Sequence, residues 1–328
     1  MSHAPVLLHE AVAALAPKAG DIIVDATFGG GGYTRALLEA ADCKVIALDR
    51  DPDAIARANA FARLTPWRLE PREGRFGDLE TLVPEAVDGV ALDLGVSSFQ
   101  LDEPERGFSF RFDAALDMRM GKKGPSAADV VARFPEEALA DAIWALGEET
   151  ASRRIARAIV EMRRETPIET TAQLADLVEK ALGGRKGART HPATKTFQAL
   201  RMLVNDELGE LARALAGAET RLKPEGRLVV VSFHSLEDRI VKSFMVERAG
   251  ATGGGSRYAP ERPVGRPASF VLPHKKSIGP DERELAANPR ARSAKLRVAI
   301  RTEAPAWGPV SSRTLAPIAA AEWERLIR

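Results

Sequence analysis

"DATFGGGGYT", Asp25 to Thr34, sets four consecutive glycines between an apolar run and a helix-like stretch. Glycine loses more backbone freedom on folding than any other residue, so four together imply a turn that something must approach closely. The preceding "DIIVD" (Asp21 to Asp25) reads as a buried strand and "YTRALLEA" (Tyr33 to Ala40) as a helix. A glycine turn from strand to helix is where nucleotide-like ligands bind in open α/β sheets. A flexible linker is the plain alternative, but linkers are rarely clamped between two regular elements.

Outward from that turn, strand and helix signals alternate to about residue 100. "IIVDATF" is the first strand, "KVIALD" (Lys44 to Asp49) the second, "WRLEP" near Trp67 the third and "GVALDL" (Gly89 to Leu94) the fourth, with a helix at "PDAIARANAFARL". The pattern then changes. Residues 105 to 204 are mostly helical: "PEEALADAIWALG", "ASRRIARAIVEMRRE" and "TTAQLADLVEKAL", the last with Thr170 and Gln173 at capping-box spacing. Strands resume at "GRLVVVSF" (Gly226 to Phe233), "SFVLP" (Ser269 to Pro273) and "KLRVAIR" (Lys295 to Arg301). A sheet interrupted by helices and then completed implies one domain inserted into another. Residues 1–104 and 205–302 form the discontinuous ligand-binding domain and 105–204 the insert. Residues 249–267 read as a mobile loop, and no role is assigned to the tail 303–328.

Composition narrows the class. The 328 residues are 45% hydrophobic, 28% charged and 5% aromatic, ordinary for a soluble protein. A single cysteine, Cys43, excludes an internal disulfide and suits a reducing cytoplasm. The five histidines lack metal-site spacing, so no metal is expected. The N-terminal stretch carries a histidine and an acid within its apolar part, unlike a signal peptide, and no apolar run approaches the ~20 residues of a membrane helix. Net charge is only +1, yet Lys180 to Asn205 holds six basic residues (Lys180, Arg185, Lys186, Arg189, Lys195, Arg201) and no acid. Ala249 to Thr302 holds eleven Lys or Arg against four acids. Such blocks suit a phosphate backbone, although charge runs alone more often form a solvated face.

The turn does not suit every nucleotide. A P-loop needs Gly-Lys-Ser/Thr after its glycines, and no lysine is here. Counted from Gly29, the sixth position of the dinucleotide fingerprint is Thr34, not glycine. Asp49, ending the second strand, is placed to accept ribose hydroxyls. Both NAD and S-adenosylmethionine (AdoMet) present a ribose there. The missing third glycine leans towards AdoMet, which has no pyrophosphate.

The stretch after the fourth strand, "LDLGVSSFQLDEPERGFSFRFDAALDMRM" (Leu92 to Met120), is too idiosyncratic for a generic element. Together with "DATFGGGGYT", "HPATKTFQALRMLVNDEL", "SFHSLEDRIVKSF" and "NPRARSAKLRVA", it closely resembles the MraW family of ribosomal RNA small subunit methyltransferases. These enzymes use AdoMet to methylate N4 of a decoding-region cytosine in 16S rRNA. The resemblance runs in order from about His3 to Arg301. It implies an α/β fold, a class I AdoMet-dependent methyltransferase (Rossmann-like) sheet with an inserted helical domain. It implies a 16S rRNA substrate within a small ribosomal subunit or its precursor, and cofactor contacts at Gly31, Gly32, Tyr33, Asp49, Phe76, Asp93 and Gln100. Two departures stand out: Tyr33 replaces the family's usual histidine, and "AALDMRM" carries Ala114 and Ala115 where the family has Gly-Pro. A backbone contact survives the first change; an imidazole contact would not.

Transfer of a methyl group from a sulfonium to an amine is an in-line displacement, so the enzyme chiefly positions the partners. The cytosine amino group is a poor nucleophile and needs an acceptor for its N–H hydrogens. Asp93 is the candidate, with the Leu94 carbonyl beside it, but the chain has "DLGV" where many amino-methyltransferases carry Asn/Asp-Pro-Pro-aromatic. Asp93 as acceptor and Asp93 as cofactor ligand therefore stand level. Methylation at C5 would need a cysteine adduct, and Cys43 lies before the second strand, away from the fourth. A paired base is unreachable, so the target must be flipped or single-stranded. In "SFHSLEDR", Ser235 and Asp238 read as a capping box opening a helix, with His234 a bystander. Arg106 and Arg111 flank "GFSF" and suit either RNA or internal pairing. Arg185, Lys186, Arg189, Lys195, Arg290 and Arg292 are the further RNA-contact candidates. The rivals are a class I methyltransferase with another substrate, disfavoured by the basic insert, and a non-catalytic ribosome assembly factor, disfavoured by the intact Gly31, Gly32, Asp49 and Asp93. A nicotinamide oxidoreductase is the least supported.

Overall fold

Five short apolar runs lie parallel because helices carry the chain back between them. The computed structural model describes residues 5–185, 187, 190–250 and 266–310. Most of the expected mobile loop at 249–267, Lys186, Arg189, His3 and the tail from residue 311 lie outside the described residues. The strands are β1 (Ile22–Asp25), β2 (Lys44–Asp49), β3 (Leu69–Glu73), β4 (Val87–Asp93), β5 (Leu222–Ser232), β6 (Phe270–Val271) and β7 (Lys295–Arg301). They form one sheet in the order β3-β2-β1-β4-β5-β7-β6. β1 to β5 are parallel, and β7 runs antiparallel between β5 and β6. This is the expected α/β sheet, parallel over five strands, and each of the seven expected strands is present, with shifts in its bounds.

Central strands buried on both faces read as continuous apolar runs rather than alternations. "KVIALD" is such a run, with Val45 to Leu48 fully buried. β1 stops at Asp25, three residues short of the expected strand, because Ala26 to Gly31 already turn: the chain reaches positive φ at Gly29 (51°) and Gly31 (77°). The third strand starts at Leu69 and leaves Trp67 outside, exposed and at φ 69°.

Strand order reverses between β1 and β4. β1 leads outward through β2 to β3, while β4 leads the other way to β5. Ligands in open α/β sheets bind at the carboxyl ends of strands at such a switch point.

The chain divides into two compact units, one from Met1–Gly95 and the segment beginning at Leu208, the other from Val96–Glu207. The first contains the whole sheet. The second is helical, with helices Ala127–Arg133, Glu136–Gly147, Ser152–Glu165, Thr171–Ala181 and Thr194–Asn205. Its amphipathic logic is plain in Ser152–Glu165, where Ile155, Ala156, Ile159 and Val160 are buried on one face while Arg153, Arg154 and Arg157 face solvent. The Thr170–Gln173 capping box is present: Gln173 N–H donates to Thr170 Oγ1, and Gln173 Oε1 accepts from Thr170 N–H. Among the described residues, no helix is long and apolar enough to cross a membrane.

Candidate active site

The glycine turn is tied down at both ends. Ala26 N–H donates to Ala91 O in β4 and Phe28 N–H to Leu48 O in β2, at 2.9 and 3.0 Å. Asp25, the last residue of β1, is 1% exposed, and its carboxylate reaches across the turn. Asp25 Oδ2 accepts from Thr34 N–H (3.1 Å) and from Thr34 Oγ1 (2.7 Å), and Oδ1 accepts from Thr27 N–H (3.3 Å). Thr27 in turn accepts the Asp93 N–H at 2.7 Å, linking the turn to the end of β4. Burial raises the Asp25 carboxyl above its ordinary range, and the three hydrogen bonds pull it back.

At the end of β2, Asp49 Oδ2 accepts Gly29 N–H and Oδ1 accepts Asp51 N–H, both at 2.8 Å. Each oxygen keeps a second acceptor direction. Burial pushes the Asp49 carboxyl up to about 6, against the two backbone bonds. Asp93, at the end of β4, contrasts with both. Its Oδ1 is buried without a hydrogen-bond partner in the protein. Burial, then the Asp25 and Glu237 carboxylates, raise its carboxyl well above the usual range. Buried polar atoms are nearly always bonded, so such an orphan acceptor marks a place for a ligand donor.

The neighbouring strand end adds a wall. Leu94 N–H bonds to Val231 O in β5, and a Cβ on Gly95 would stand 3.7 Å from the Phe233 ring. The following helix, Ser235–Arg248, is capped one residue earlier than its sequence suggests. Glu237, not Asp238, turns back to accept Phe233 N–H (2.9 Å) and His234 N–H (3.1 Å), and His234 is the N-cap. The Ser235–Asp238 reading is thereby corrected: Asp238 is claimed by Lys295 and Arg297 of β7, at 2.9 and 2.6 Å.

The other expected cofactor residues divide. Gly31 and Gly32 lie in the turn, where a Cβ on Gly31 would meet the Phe28 ring at 2.6 Å and one on Gly32 would meet Pro5 at 2.1 Å. Tyr33 donates its hydroxyl to Val6 O (2.6 Å), so its side chain holds the N-terminal segment and only its backbone faces the turn's task. Phe76 opens a short helix just past β3, on the same sheet edge. Gln100 belongs to the helical unit, where its Oε1 accepts Ser97 N–H in a capping box.

The RNA candidates fare differently again. Arg106 is 7% exposed and donates to Arg119 O and Met120 O, with Phe108 beside it, the internal bonding that is one of its two readings. Arg185 is exposed and pairs with Glu179 at 3.1 Å. Lys195 donates to Glu148 O at 2.9 Å, at the C-terminus of Glu136–Gly147. Arg201 makes a two-pronged pair with Glu207. Arg185 and Arg201 thus meet acids just outside the acid-free stretch, while Lys195 meets a backbone carbonyl from a helix end far upstream. Arg292 is exposed, and Lys186, Arg189 and the Arg290 side chain lie outside what is described.

Sequence reasoning missed Asp25, Thr27 and Thr34. The signal was present: an acid closing the first strand, with a threonine at each end of the glycine run. Cys43 is buried before β2, its Sγ 3.5 Å from Leu37 O, away from the strand ends that form the site.

Comparison with known proteins gives a consistent answer. Residues 1–302 match the model of the MraW methylase family. A protein named ribosomal RNA small subunit methyltransferase H from Hyphomonas neptunium is 61% identical over 308 residues, covering 93% of this chain and 90% of that protein. Its namesake from Caulobacter vibrioides is 57% identical over 306 residues, covering 93% and 97%. That from Paramagnetospirillum magneticum is 55% identical over 314 residues, covering 94% and 98%.

Proposed function

Since the chain belongs to the MraW methylase family, we propose that it transfers a methyl group from AdoMet to the exocyclic N4 of a decoding-region cytosine in 16S rRNA. The observation that carries the chemistry is Asp93 Oδ1, a buried acceptor without a partner at the switch point of the sheet. The residues present fit AdoMet. Asp49, whose Oδ2 braces the glycine turn, has acceptor capacity left for ribose hydroxyls, and Phe76 stands at the next strand end. Gln100 is assigned to the cofactor on family resemblance. When bound, AdoMet supplies an electrophilic methyl carbon on a positively charged sulfur.

Asp93 does the rest. Burial of Oδ1 and the nearby Asp25 and Glu237 carboxylates hold its carboxyl well above the usual carboxylate range. A cationic ligand beside it favours the carboxylate, which then accepts an N–H of the cytosine amino group and orients its lone pair towards the methyl carbon. Thr27 fixes the Asp93 backbone, and Asp25 fixes the turn that carries Thr27. No thiol takes part.

The insert serves substrate recognition in this reading, and the substrate is the small ribosomal subunit or its precursor, which places the enzyme in the cytoplasm. The test is direct. Small-subunit particles from a strain lacking this enzyme are incubated with the protein and AdoMet, and the 16S rRNA is mapped by mass spectrometry. One methyl group on N4 of one decoding-region cytosine is expected. Methylation elsewhere, or none, overturns the assignment.

A further inference from the structure

The helix Glu207–Arg221 leads back into the sheet unit, and its sequence "ELGELARALAGAETR" spaces Leu208, Leu211, Leu215 and Ala218 along a buried face. A glutamate on such a helix is ordinarily left in water, yet Glu210 is 0% exposed. Its neighbours explain the burial. Arg50 Nη1 donates to Glu210 Oε1 at 2.9 Å, and Arg75 Nη1 lies 3.4 Å from the same oxygen. Burying a carboxylate is costly unless it is paired, and two guanidinium groups meet that need. The Arg50 side chain is largely buried with it, whereas that of Arg75 is half exposed.

Both arginines adjoin residues of the cofactor site. Arg50 is joined by one peptide bond to Asp49, the candidate ribose acceptor that closes β2. Arg75 is joined by one to Phe76, which opens the short helix past β3. The backbone ties the same two places together, since Gly74 N–H donates to Asp49 O at 2.9 Å. Glycine at position 77 completes the seat. A Cβ there would stand 3.0 Å from Glu210 Cα and 3.1 Å from Glu210 Cβ, with Arg213 Nε at 3.2 Å. The Phe76 turn therefore rests on the helix backbone at the very residue that gathers the two arginines. Two turns on, Gly217 makes a similar approach, its Cβ position lying 3.1 Å from Glu80 N.

We infer that Glu210 is a positioning residue for AdoMet, which fixes the spacing between the Asp49 and Phe76 strand ends by drawing Arg50 and Arg75 to one point. Without its charge the two guanidinium groups repel each other, and the ends of β2 and β3 move apart. A buried ion pair adds little net stability, so its worth lies in the geometry it imposes. A binding constellation needs its side chains held within about 0.5 Å of the productive arrangement. Asp49 and Phe76 sit on separate strand ends, and Glu210 is the buried group that both ends share through their neighbours. The role rests on AdoMet lying with its ribose at Asp49.

The test is AdoMet calorimetry, with thermal melting of the ligand-free protein, on Glu210→Gln, which keeps the side chain's shape and removes its charge. Binding should weaken about tenfold, the scale of one lost charge-assisted hydrogen bond. In methylation of small-subunit particles the loss should fall on KM for AdoMet, while kcat and the KM for particles change far less. A merely structural role would lower the melting temperature and leave the affinity of the folded protein intact. A cycle with Asp49→Ala gives a second signature: because Glu210 acts through Asp49, the two losses should be less than additive. Should Glu210→Gln fail to fold, Arg75→Met, at a half-exposed side chain, and Gly77→Ala, which pushes the Phe76 turn off the helix, carry the test. Each should weaken AdoMet binding. If folded Glu210→Gln, or in its absence both of those variants, binds AdoMet like the parent, the role is wrong and the ribose assignment stands. Full additivity with Asp49→Ala overturns it in the same way. If Asp49→Ala itself binds like the parent, the ribose lies elsewhere and the role of Glu210 falls with it.

Discussion

Asp25, Asp49 and Asp93 are three carboxylates at the ends of three neighbouring parallel strands, and their different bonding gives them different work. Asp25 accepts three bonds from the two threonines, filling Oδ2, and serves as an internal clamp. Asp49 is half used, so Asp49→Ala should weaken AdoMet binding tenfold or more, since charge-assisted hydrogen bonds contribute roughly 1.5–3 kcal/mol each. Calorimetry with unchanged affinity would move the ribose away from β2. The same residue sets a pH dependence. Its carboxyl is raised to about 6, with Asp51 and Asp25 nearby, so the accepting anion is lost as pH falls through that value. AdoMet affinity should therefore drop between pH 7 and pH 5, and Asp49→Asn should flatten the curve. For folding the sign is opposite: the raised carboxyl favours the folded protein below about pH 4, and that contribution fades as pH rises through about 6. Asp93 is unused by the protein. Asp93→Asn should lower the rate of methyl transfer by roughly 10²-fold or more, the scale of a lost proton acceptor, with a smaller change in AdoMet affinity. A loss confined to affinity would make Asp93 a cofactor ligand only. Asp49 and Asp93 were legible in the sequence because an acid closing an apolar run at a strand end has few other uses. Asp25 was hidden by having the same position with local partners.

Among the elements, the glycine turn carries the tightest steric demand. Gly31→Ala would force a side chain into the left-handed region, at about 1–2 kcal/mol, and set its Cβ against the Phe28 ring. A lower melting temperature together with weakened AdoMet binding is expected; a variant with the parent's values for both would show that the turn repacks freely. Strand positions could be read from the sequence because β2, β4 and β5 each contain an unbroken buried apolar run, Val45–Leu48, Val90–Leu92 and Leu228–Val231, as strands buried on both faces do. Helix caps were legible only where the partner is local. Thr170 and Gln173 sit in isolation and pair as expected. Asp238 matched the capping pattern equally well, but Lys295 and Arg297, some sixty residues on, outbid the helix terminus, and Glu237 took its place. The basic run is less free of partners than its composition implies: Arg185 and Arg201 pair with Glu179 and Glu207, which stand just beyond the acid-free window, and Lys195 donates to the Glu148 backbone carbonyl from a distant helix end.

On the scale of the molecule, β4 and β5 are bonded neighbours although the entire helical unit lies between them in the chain. A short Gly/Ser linker in place of residues 96–207, keeping the helix that begins at Glu207 from Leu208 onward, should leave the sheet folded and able to bind AdoMet, weakened by loss of Gln100. Methylation of small-subunit particles should vanish. Circular dichroism showing a collapsed sheet would mean the insert is needed for folding and not only for substrate. The same adjacency also has a consequence in time. As the chain is made, β1 to β4 emerge first and form half a sheet whose β4 edge has no partner. Residues 94 to 221 must follow before β5 arrives, which at about 5–20 residues per second means roughly 6–26 s. Throughout that interval the β4 edge, with its buried run Val90–Leu92, is open to other nascent chains. A member of this methylase family thus carries an open sheet edge while still attached to the ribosome that makes it, and slowing translation within the insert should lower its soluble yield more than slowing it after β5.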